Sequence, residues 1–131
     1  MPLFRDLVVW QKAHELVLDV YALTAGFPSD ERFGLRSQMQ RAAVSVPANI
    51  AEGQKRGTDR GFAQFLAIAE GSLAELQYYF VLAQDLSYAS PAQAPAVTAK
   101  SNDVERLLRA LRASVLLRAS RRGPASDDDG V

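Results

Sequence analysis

The sequence predicts an all-α protein, an antiparallel up-down bundle of four helices. Apolar residues recur at helical spacing along most of the chain, and no segment alternates apolar and polar residues as a strand does. Glycine, proline and helix-capping residues interrupt this pattern at three places. The 131 residues suffice for one hydrophobic core. We therefore expect one domain over residues 1–120 and a disordered acidic tail over residues 121–131.

The first two helices are delimited by a segment rich in turn residues. The apolar pattern predicts a first helix over residues 4–25, which Gly26 and Pro28 should end. Ser29 is expected to cap a second helix over residues 30–51, whose first turn is acidic.

The other two helices follow a glycine-rich basic turn. Either Thr58 or Asp59 should cap a third helix that extends to about residue 86. A fourth helix should begin at Pro91 or at Pro95, because both prolines suit a first turn, and it should end near Ser120. Short connections predict antiparallel neighbours packed at about 20°.

Two of the predicted helices are apolar on two faces. The first helix has one stripe from Phe4 to Tyr21 and a second stripe on another face, and the third helix repeats this arrangement. Either the core face is wide, or a homo-oligomer buries the second stripe, and we favour the oligomer. The candidate interface residues are Val9, Leu16, Leu23, Ile68, Tyr79 and Leu82.

The sequence offers no arrangement that is typical of an enzyme. It contains no cysteine and a single histidine, His14, whereas di-iron bundles need a Glu-x-x-His pair on each of two helices. The spacing of Gly53, Gly57 and Gly61 does not match a phosphate-binding loop. We expect a protein without catalytic activity, metal or cofactor.

Basic residues form three candidate binding sets. Three cations in the turn between helices two and three precede a helix start, where free N–H groups favour an anion. The alternative is an ordinary solvated turn. Further arginines lie on helix two and along one side of helix four. The candidates for contact with nucleic acid are Arg36, Arg41, Lys55, Arg56, Arg60, Arg106, Arg109 and Arg112, with Arg118, Arg121 and Arg122 further along helix four.

The charge is balanced overall but unevenly placed. There are 15 basic and 15 acidic residues, and three of the acids are Asp127, Asp128 and Asp129 in the predicted tail. This tail could shield a basic face of its own molecule or serve as a docking segment. No apolar run is long enough for a membrane span or a signal peptide, so we expect a cytoplasmic protein without a membrane partner.

The segment "SVPANIAEG" contains residues that are unusual inside a helix. Pro47 cannot donate to the preceding turn and should bend the helix. Asn49 could satisfy the polar groups that the bend frees, and Glu52 could pair with a cation on a neighbouring helix. Gly53 then breaks the helix. We favour this structural interpretation over a direct binding role for the segment.

Several segments resemble a known family. "FRDLVVWQKA", "FPSDERFGLRSQMQRAAVSVPANIAEG" and "FLAIAEGSLAELQ" are similar to the 23S rRNA-intervening-sequence proteins. The resemblance implies a four-helix bundle assembled as a ring-shaped homopentamer. Members can be encoded within insertions in bacterial 23S rRNA genes. The fold is also similar to the accessory variability protein of diversity-generating retroelements, a basic pentamer that works with nucleic acid.

Two functions remain in competition. The first is a homopentameric protein that binds RNA or DNA through backbone phosphates, or an accessory protein of a ribonucleoprotein. The second is a pentameric scaffold whose partner is another protein. Binding to phosphates should weaken steeply with salt, and a mainly apolar protein interface should not.

Overall fold

The computed structural model describes residues 3–122, and these residues form four α-helices without a β-strand. The helices are α1 (Val8–Thr24), α2 (Leu35–Gln54), α3 (Asp59–Asp85) and α4 (Ala94–Arg122). Short 3-10 turns at Phe4–Asp6 and Ser29–Glu31 precede α1 and α2. The predicted four-helix architecture is confirmed. Most of the predicted acidic tail lies outside the described residues.

The antiparallel arrangement follows from contacts between residues distant in sequence. Arg118, near the end of α4, contacts Asp59 at the start of α3. Ser45 and Ser72 share one hydrogen bond of 2.8 Å, which joins the middle of α2 to the middle of α3. At the other end of the bundle, the Lys100 ammonium on α4 lies 2.6 Å from Asp19 on α1. The helices therefore run alternately up and down around one core.

The core is filled by the inward residue of each helical turn. The largest fully buried side chains come from all four helices. They include Leu16, Val20, Met39, Ile50, Leu66, Leu73, Leu76, Val104 and Leu108. None of the helices in the described part is long and apolar enough to cross a membrane.

The first two helices begin later than predicted. Leu7 adopts an extended conformation between the first 3-10 turn and α1, and the Gln11 amide donates to the Arg5 carbonyl oxygen across this break. Ser29 lies in the second 3-10 turn and does not cap α2. Instead, the Glu31 carboxylate accepts a hydrogen bond of 3.0 Å from the Leu35 N–H. A side chain four residues before the helix thus performs the capping.

The last two helices agree better with the sequence pattern. Thr58 caps α3, because its Oγ1 accepts a hydrogen bond of 3.1 Å from the Gly61 N–H. The fourth helix begins at Ala94, which places Pro95 in the first turn, and it continues to Arg122. Residues 121 and 122, expected in the tail, are therefore helical.

The segment with unusual residues lies inside α2, which extends three residues beyond its predicted end. Pro47 is buried within the helix. The Asn49 amide donates to the Ser45 carbonyl oxygen at 2.8 Å and to its Oγ at 2.9 Å. Because Ser45 also forms a hydrogen bond with Ser72, these polar groups link the part of α2 around Pro47 to α3.

Gly53 allows the close approach of α2 and α3 at the end of the hairpin. A Cβ atom at this position would lie 2.6 Å from the Phe65 Cβ and 3.1 Å from the Phe62 Cδ1. The Phe65 Cβ is attached to the backbone of α3, so it cannot move away without moving that helix. Only glycine fits here, and α2 continues past it to Gln54.

Candidate nucleic-acid interface

One end of the bundle collects cations from three elements. The end of α2, the start of α3 and the last turns of α4 lie together, as the contacts of Arg118 and Arg122 with Asp59 show. We call the six cations of these segments the basic end: Lys55, Arg56, Arg60, Arg118, Arg121 and Arg122. The same segments contain two acids, Glu52 and Asp59. The nearby 3-10 turn adds one residue of each sign.

The turn between α2 and α3 has a tightly defined backbone. Gly57 has a φ of 85°, in the left-handed region that favours glycine. A Cβ on Gly61 would lie 3.0 Å from the capping Oγ1 of Thr58 and 3.1 Å from the Arg56 Cβ. Both glycines thus serve the compact turn that carries the cations.

The cations of this turn have different surroundings. The Arg56 guanidinium lies 3.2 Å from Glu52 and 4.6 Å from the centre of the Phe65 ring, which fix its position. The prediction that Glu52 pairs with a cation on a neighbouring helix is therefore wrong, because its partner is Arg56, four residues further along the chain. Lys55 is exposed and forms no ion pair within residues 3–122, so its ammonium is available to an anion.

Asp59, the first residue of α3, forms ion pairs with two arginines of α4. Asp59 is only 8% exposed. Its Oδ1 accepts from Arg118 Nε at 3.4 Å and Nη2 at 3.3 Å. Arg122 Nη1 lies 3.2 Å from its Oδ2. Sequence analysis treated Asp59 only as a possible cap, because an acid in a first turn is common and no local pattern indicates partners 59 and 63 residues away.

The predicted basic ridge of α4 is neutralised. Arg106 lies 3.5 Å from Asp103, and Arg109 lies 3.2 Å from Glu105, both at helical spacing along α4. The half-buried Arg112 forms an ion pair with Glu70 of α3. Arg112 thus links α4 to α3. The two ion pairs within α4 could have been predicted from the helical spacing of their residues, whereas the pair between Arg112 and Glu70 could not.

Two further predicted cations lie away from the basic end. Arg36 and Arg41 are on the first half of α2, and no ion pair involves them within the described residues. At 1.5 Å per residue, they lie roughly 28 Å and 21 Å from Lys55 along the helix axis. The structure therefore does not bring these arginines together with the turn.

The predicted oligomer stripe on α1 requires correction. Val9, Leu16 and Leu23 are 5%, 1% and 5% exposed, so they belong to the core of the protomer. Periodicity had revealed two apolar faces but not which of them faces inward. The outer apolar residues of α1 are instead Val8, Leu18 and Tyr21.

The predicted stripe on α3 is divided between surface and core. Ile68 is 51% exposed, whereas Tyr79 and Leu82 are half-buried and pack against the core. The pKa of Tyr79 is raised, first by burial and then by its hydrogen bond to Glu75. Tyr78 and Val81, which the sequence analysis did not select, are exposed beside them.

The opposite end of the bundle has the other sign of charge. Its connections, the last residue of α3 and the first turn of α2 contain three acids and two cations: Asp30, Glu31, Asp85, Arg32 and Arg36. The Tyr88 hydroxyl donates to Glu31 at 2.9 Å, and its ring packs on Phe27. The hydrogen bond from the Leu35 N–H, followed by that from Tyr88, lowers the pKa of Glu31. This end is closed by satisfied polar contacts.

Residues 3–122 contain no group of three His, Cys, Asp or Glu side chains that could hold a metal ion. The imidazole of His14 stacks on the Trp10 ring at a centroid distance of 5.1 Å. His14 is exposed on the surface of α1.

Comparisons with known proteins agree with this architecture. The family model for 23S rRNA-intervening sequence proteins matches residues 5–110. A search of curated proteins gave no match. One similar solved structure is a protein of unknown function of the S23 ribosomal protein family from Bacteroides thetaiotaomicron VPI-5482. Its TM-score is 0.75 at 23% identity, over 81% of this chain and 96% of that chain, which supports the fold alone. The family match covers most of the sequence, and the chain belongs to the 23S rRNA-intervening sequence proteins.

Proposed function

We propose that this protein is a non-enzymatic homo-oligomer that binds the phosphate backbone of RNA or DNA through its basic end. The observation that carries the proposal is the concentration of six cations against two acids on segments that meet at one end. Phosphate contacts from lysine and arginine supply most of the affinity of sequence-independent binding. The family name is consistent with a role near ribosomal RNA.

Oligomerisation strengthens such binding. The family resemblance implies a homopentamer, and exposed apolar residues on α1 and α3 provide surface for contacts between protomers: Leu18, Tyr21, Ile68, Tyr78 and Val81. Copies of the basic end in one assembly would contact one nucleic acid several times, so modest contacts would combine into substantial affinity. Light scattering should then give about 72 kDa, five times the protomer mass of 14.3 kDa.

The alternative function is a protein-interaction scaffold. It is favoured by the same exposed apolar residues of α3, since a patch that includes Tyr78 at 59% exposure is suited to a protein partner. In this case the basic end would only keep the protein soluble.

A salt-graded fluorescence titration separates the two functions. Short labelled RNA and DNA would be titrated with the full chain between 50 and 200 mM salt, and the assembly mass would be measured in the same buffers. Binding through about six phosphates should weaken by roughly 10³ over this range. Absence of binding to either nucleic acid at the lowest salt would contradict the proposal and leave the scaffold.

A further inference from the structure

The cations of the basic end are not neutralised by the acids of the same segments. All six cations are exposed, and only Glu52 and Asp59 accompany them on the described parts of these segments. Lys55 and Arg121 form no ion pair within residues 3–122. Like charges that lie close together repel one another, so an added anion is favourable here. The basic end therefore suits an acidic segment of protein as well as a phosphate backbone.

The chain itself supplies three anions directly after this end. Arg122 is the last described residue of α4, and the sequence continues with "GPASDDDGV". We call Asp127, Asp128 and Asp129 the acidic triplet. Its three charges would offset most of the excess of six cations over two acids at the basic end. The two groups of charges are thus complementary in sign and similar in size.

The connection between α4 and the acidic triplet is long enough for a contact with the basic end. Gly123 and Pro124 are typical of the residues that follow a helix, so the sequence predicts that the chain leaves the axis of α4 here. Asp127 follows Arg122 by five residues, which an extended chain spans over about 17 Å. Because packed helices are about 8–10 Å apart, the start of α3 and the turn before it lie within this reach.

A cavity of about 350 Å³ lies between the last turns of α4 and the turn that precedes α3. Its lining includes the apolar side chains of Phe62 and Leu111, and Arg122 lines it from α4. A segment that crosses from α4 to the turn passes over this concave surface. Pro124 and Ala125, which precede the acidic triplet, are small apolar residues that can cover it.

We propose that the acidic triplet binds the basic end of its own protomer and competes there with the phosphates of nucleic acid. Lys55 and Arg121 are its main contacts, because no acid of residues 3–122 pairs with them. A short connection gives the triplet an effective concentration on the order of millimolar. Nucleic acid then binds only the fraction of molecules whose basic end is unoccupied. The competition rests on the proposed function, whereas the contact itself is measurable without nucleic acid.

Carbodiimide cross-linking tests the contact in the absence of nucleic acid. The reagent joins a lysine amine to an adjacent carboxylate through an amide bond. The chain contains three lysines, Lys12, Lys55 and Lys100. In the full chain at low salt, mass spectrometry should find the acidic triplet joined to Lys55. Lys100, whose ammonium lies 2.6 Å from Asp19, is the internal control and should be joined to Asp19.

The same experiment distinguishes contacts within a protomer from contacts between protomers. Protein refolded from a mixture of isotope-labelled and unlabelled chains would be cross-linked in the same way. A link within one protomer joins two peptides of the same isotope composition. We expect this pattern for the link between the acidic triplet and Lys55.

A triple substitution tests the competition. The variant Asp127→Asn, Asp128→Asn and Asp129→Asn keeps the length of the chain and removes the charge of the acidic triplet. It should bind labelled RNA about tenfold more tightly than the unchanged chain at low salt, which corresponds to a basic end that the triplet occupies about nine-tenths of the time. The gain should shrink as salt is raised, because salt screens contacts between exposed charges.

A matched control removes the same charge from exposed acids outside the basic end. Its substitutions are Glu15→Gln, Asp30→Asn and Asp85→Asn. It should bind RNA within about twofold of the unchanged chain, because distant charges are screened. Circular dichroism verifies that each variant is folded.

The outcomes separate this inference from the proposed function. If Lys100 is joined to Asp19 but Lys55 is not joined to the acidic triplet, the inference is overturned even where RNA binds. Links that form only between protomers also overturn it. So does a gain in RNA affinity that is absent from the triple variant or equal in the matched control. If no variant binds RNA at the lowest salt, the proposed function fails, and the cross-link to Lys55 decides the contact by itself.

Discussion

The two ends of the bundle use an acidic side chain near a helix start in opposite ways. At the acidic end, Glu31 accepts from the Leu35 N–H and the Tyr88 hydroxyl, so both of its oxygens have donors. At the basic end, Asp59 is held by two arginines of α4, and its Oδ2 is buried without a hydrogen bond within the described residues. The first arrangement closes the fold. The second leaves one buried acceptor without a hydrogen bond at the end where cations concentrate.

The difference teaches that charge alone does not identify a binding surface. The arginines of α4 outside the last turns looked equally suitable in sequence, yet Arg106 and Arg109 have acids one helical turn away, and Arg112 links two helices. What distinguishes the basic end is an excess of cations over acids.

The largest effect is expected where α2 meets α3 at the basic end. Gly53→Ala should destabilise the protein by about 3 kcal/mol, because the new Cβ would lie 2.6 Å from the Phe65 Cβ. Gly71→Ala is the matched control. It has no atom of the described structure within 4 Å of the added Cβ and should stabilise α3 by up to about 1 kcal/mol. Urea unfolding measures both, and equal effects would contradict the close packing at Gly53.

A smaller effect is expected from Asp59, the acid that distinguishes the basic end. Asp59→Asn removes a buried charge bonded by Arg118 and should cost about 2 kcal/mol at neutral pH. Glu52→Gln, in the exposed pair with Arg56, should cost about 0.5 kcal/mol or less. Thermal unfolding of the two variants compares them directly. If Asp59→Asn were as mild as Glu52→Gln, the buried cluster would contribute little to the fold.

The contribution of the acidic end should be visible in the pH dependence of the free energy of unfolding. The pKa of Glu31 is lowered from its ordinary value of 4.5 in the folded protein, so its stabilising contribution is complete above that value. This contribution should be lost as the pH falls through the lower folded pKa. Glu31→Gln should remove this part of the acid sensitivity, and Tyr88→Phe should make it smaller, because one donor that lowers the pKa of Glu31 is lost.

Urea midpoints measured from about pH 7 to about pH 3 would show this change as a smaller slope in the Glu31→Gln variant. Asp30→Asn is a suitable control, since it changes the neighbouring residue in the same 3-10 turn. An unchanged slope after Glu31→Gln would contradict the role of Glu31 in closing this end.

Much of the fold was predictable because its signals are local. Helical periodicity gave four helices, and the residue types at Thr58 and Pro95 marked true helix starts. The starts of α1 and α2 were missed, since 3-10 turns share composition with helices. Periodicity also showed that α1 has two apolar faces but could not show that Leu16 faces the core.

The site was less predictable because its contacts are distant in sequence. The cations of the turn were found from composition. Their proximity to Arg118 and Arg122, however, depends on the packing of the end of α4 beside the start of α3. The pair between Glu70 and Arg112 spans 42 residues and has no local pattern. A cavity is a property of packing, and no single segment predicts it.

The most direct test of the central claim compares two charge reversals of equal size. Lys55→Glu with Arg121→Glu alters the basic end, and Arg36→Glu with Arg41→Glu alters α2 away from it. The account predicts that the first variant binds RNA at least about 100-fold more weakly at 50 mM salt, with a salt slope reduced by about two, while the second stays close to the unchanged protein. Equal losses in both variants, or unchanged binding by the first, would contradict the assignment of nucleic-acid binding to the basic end.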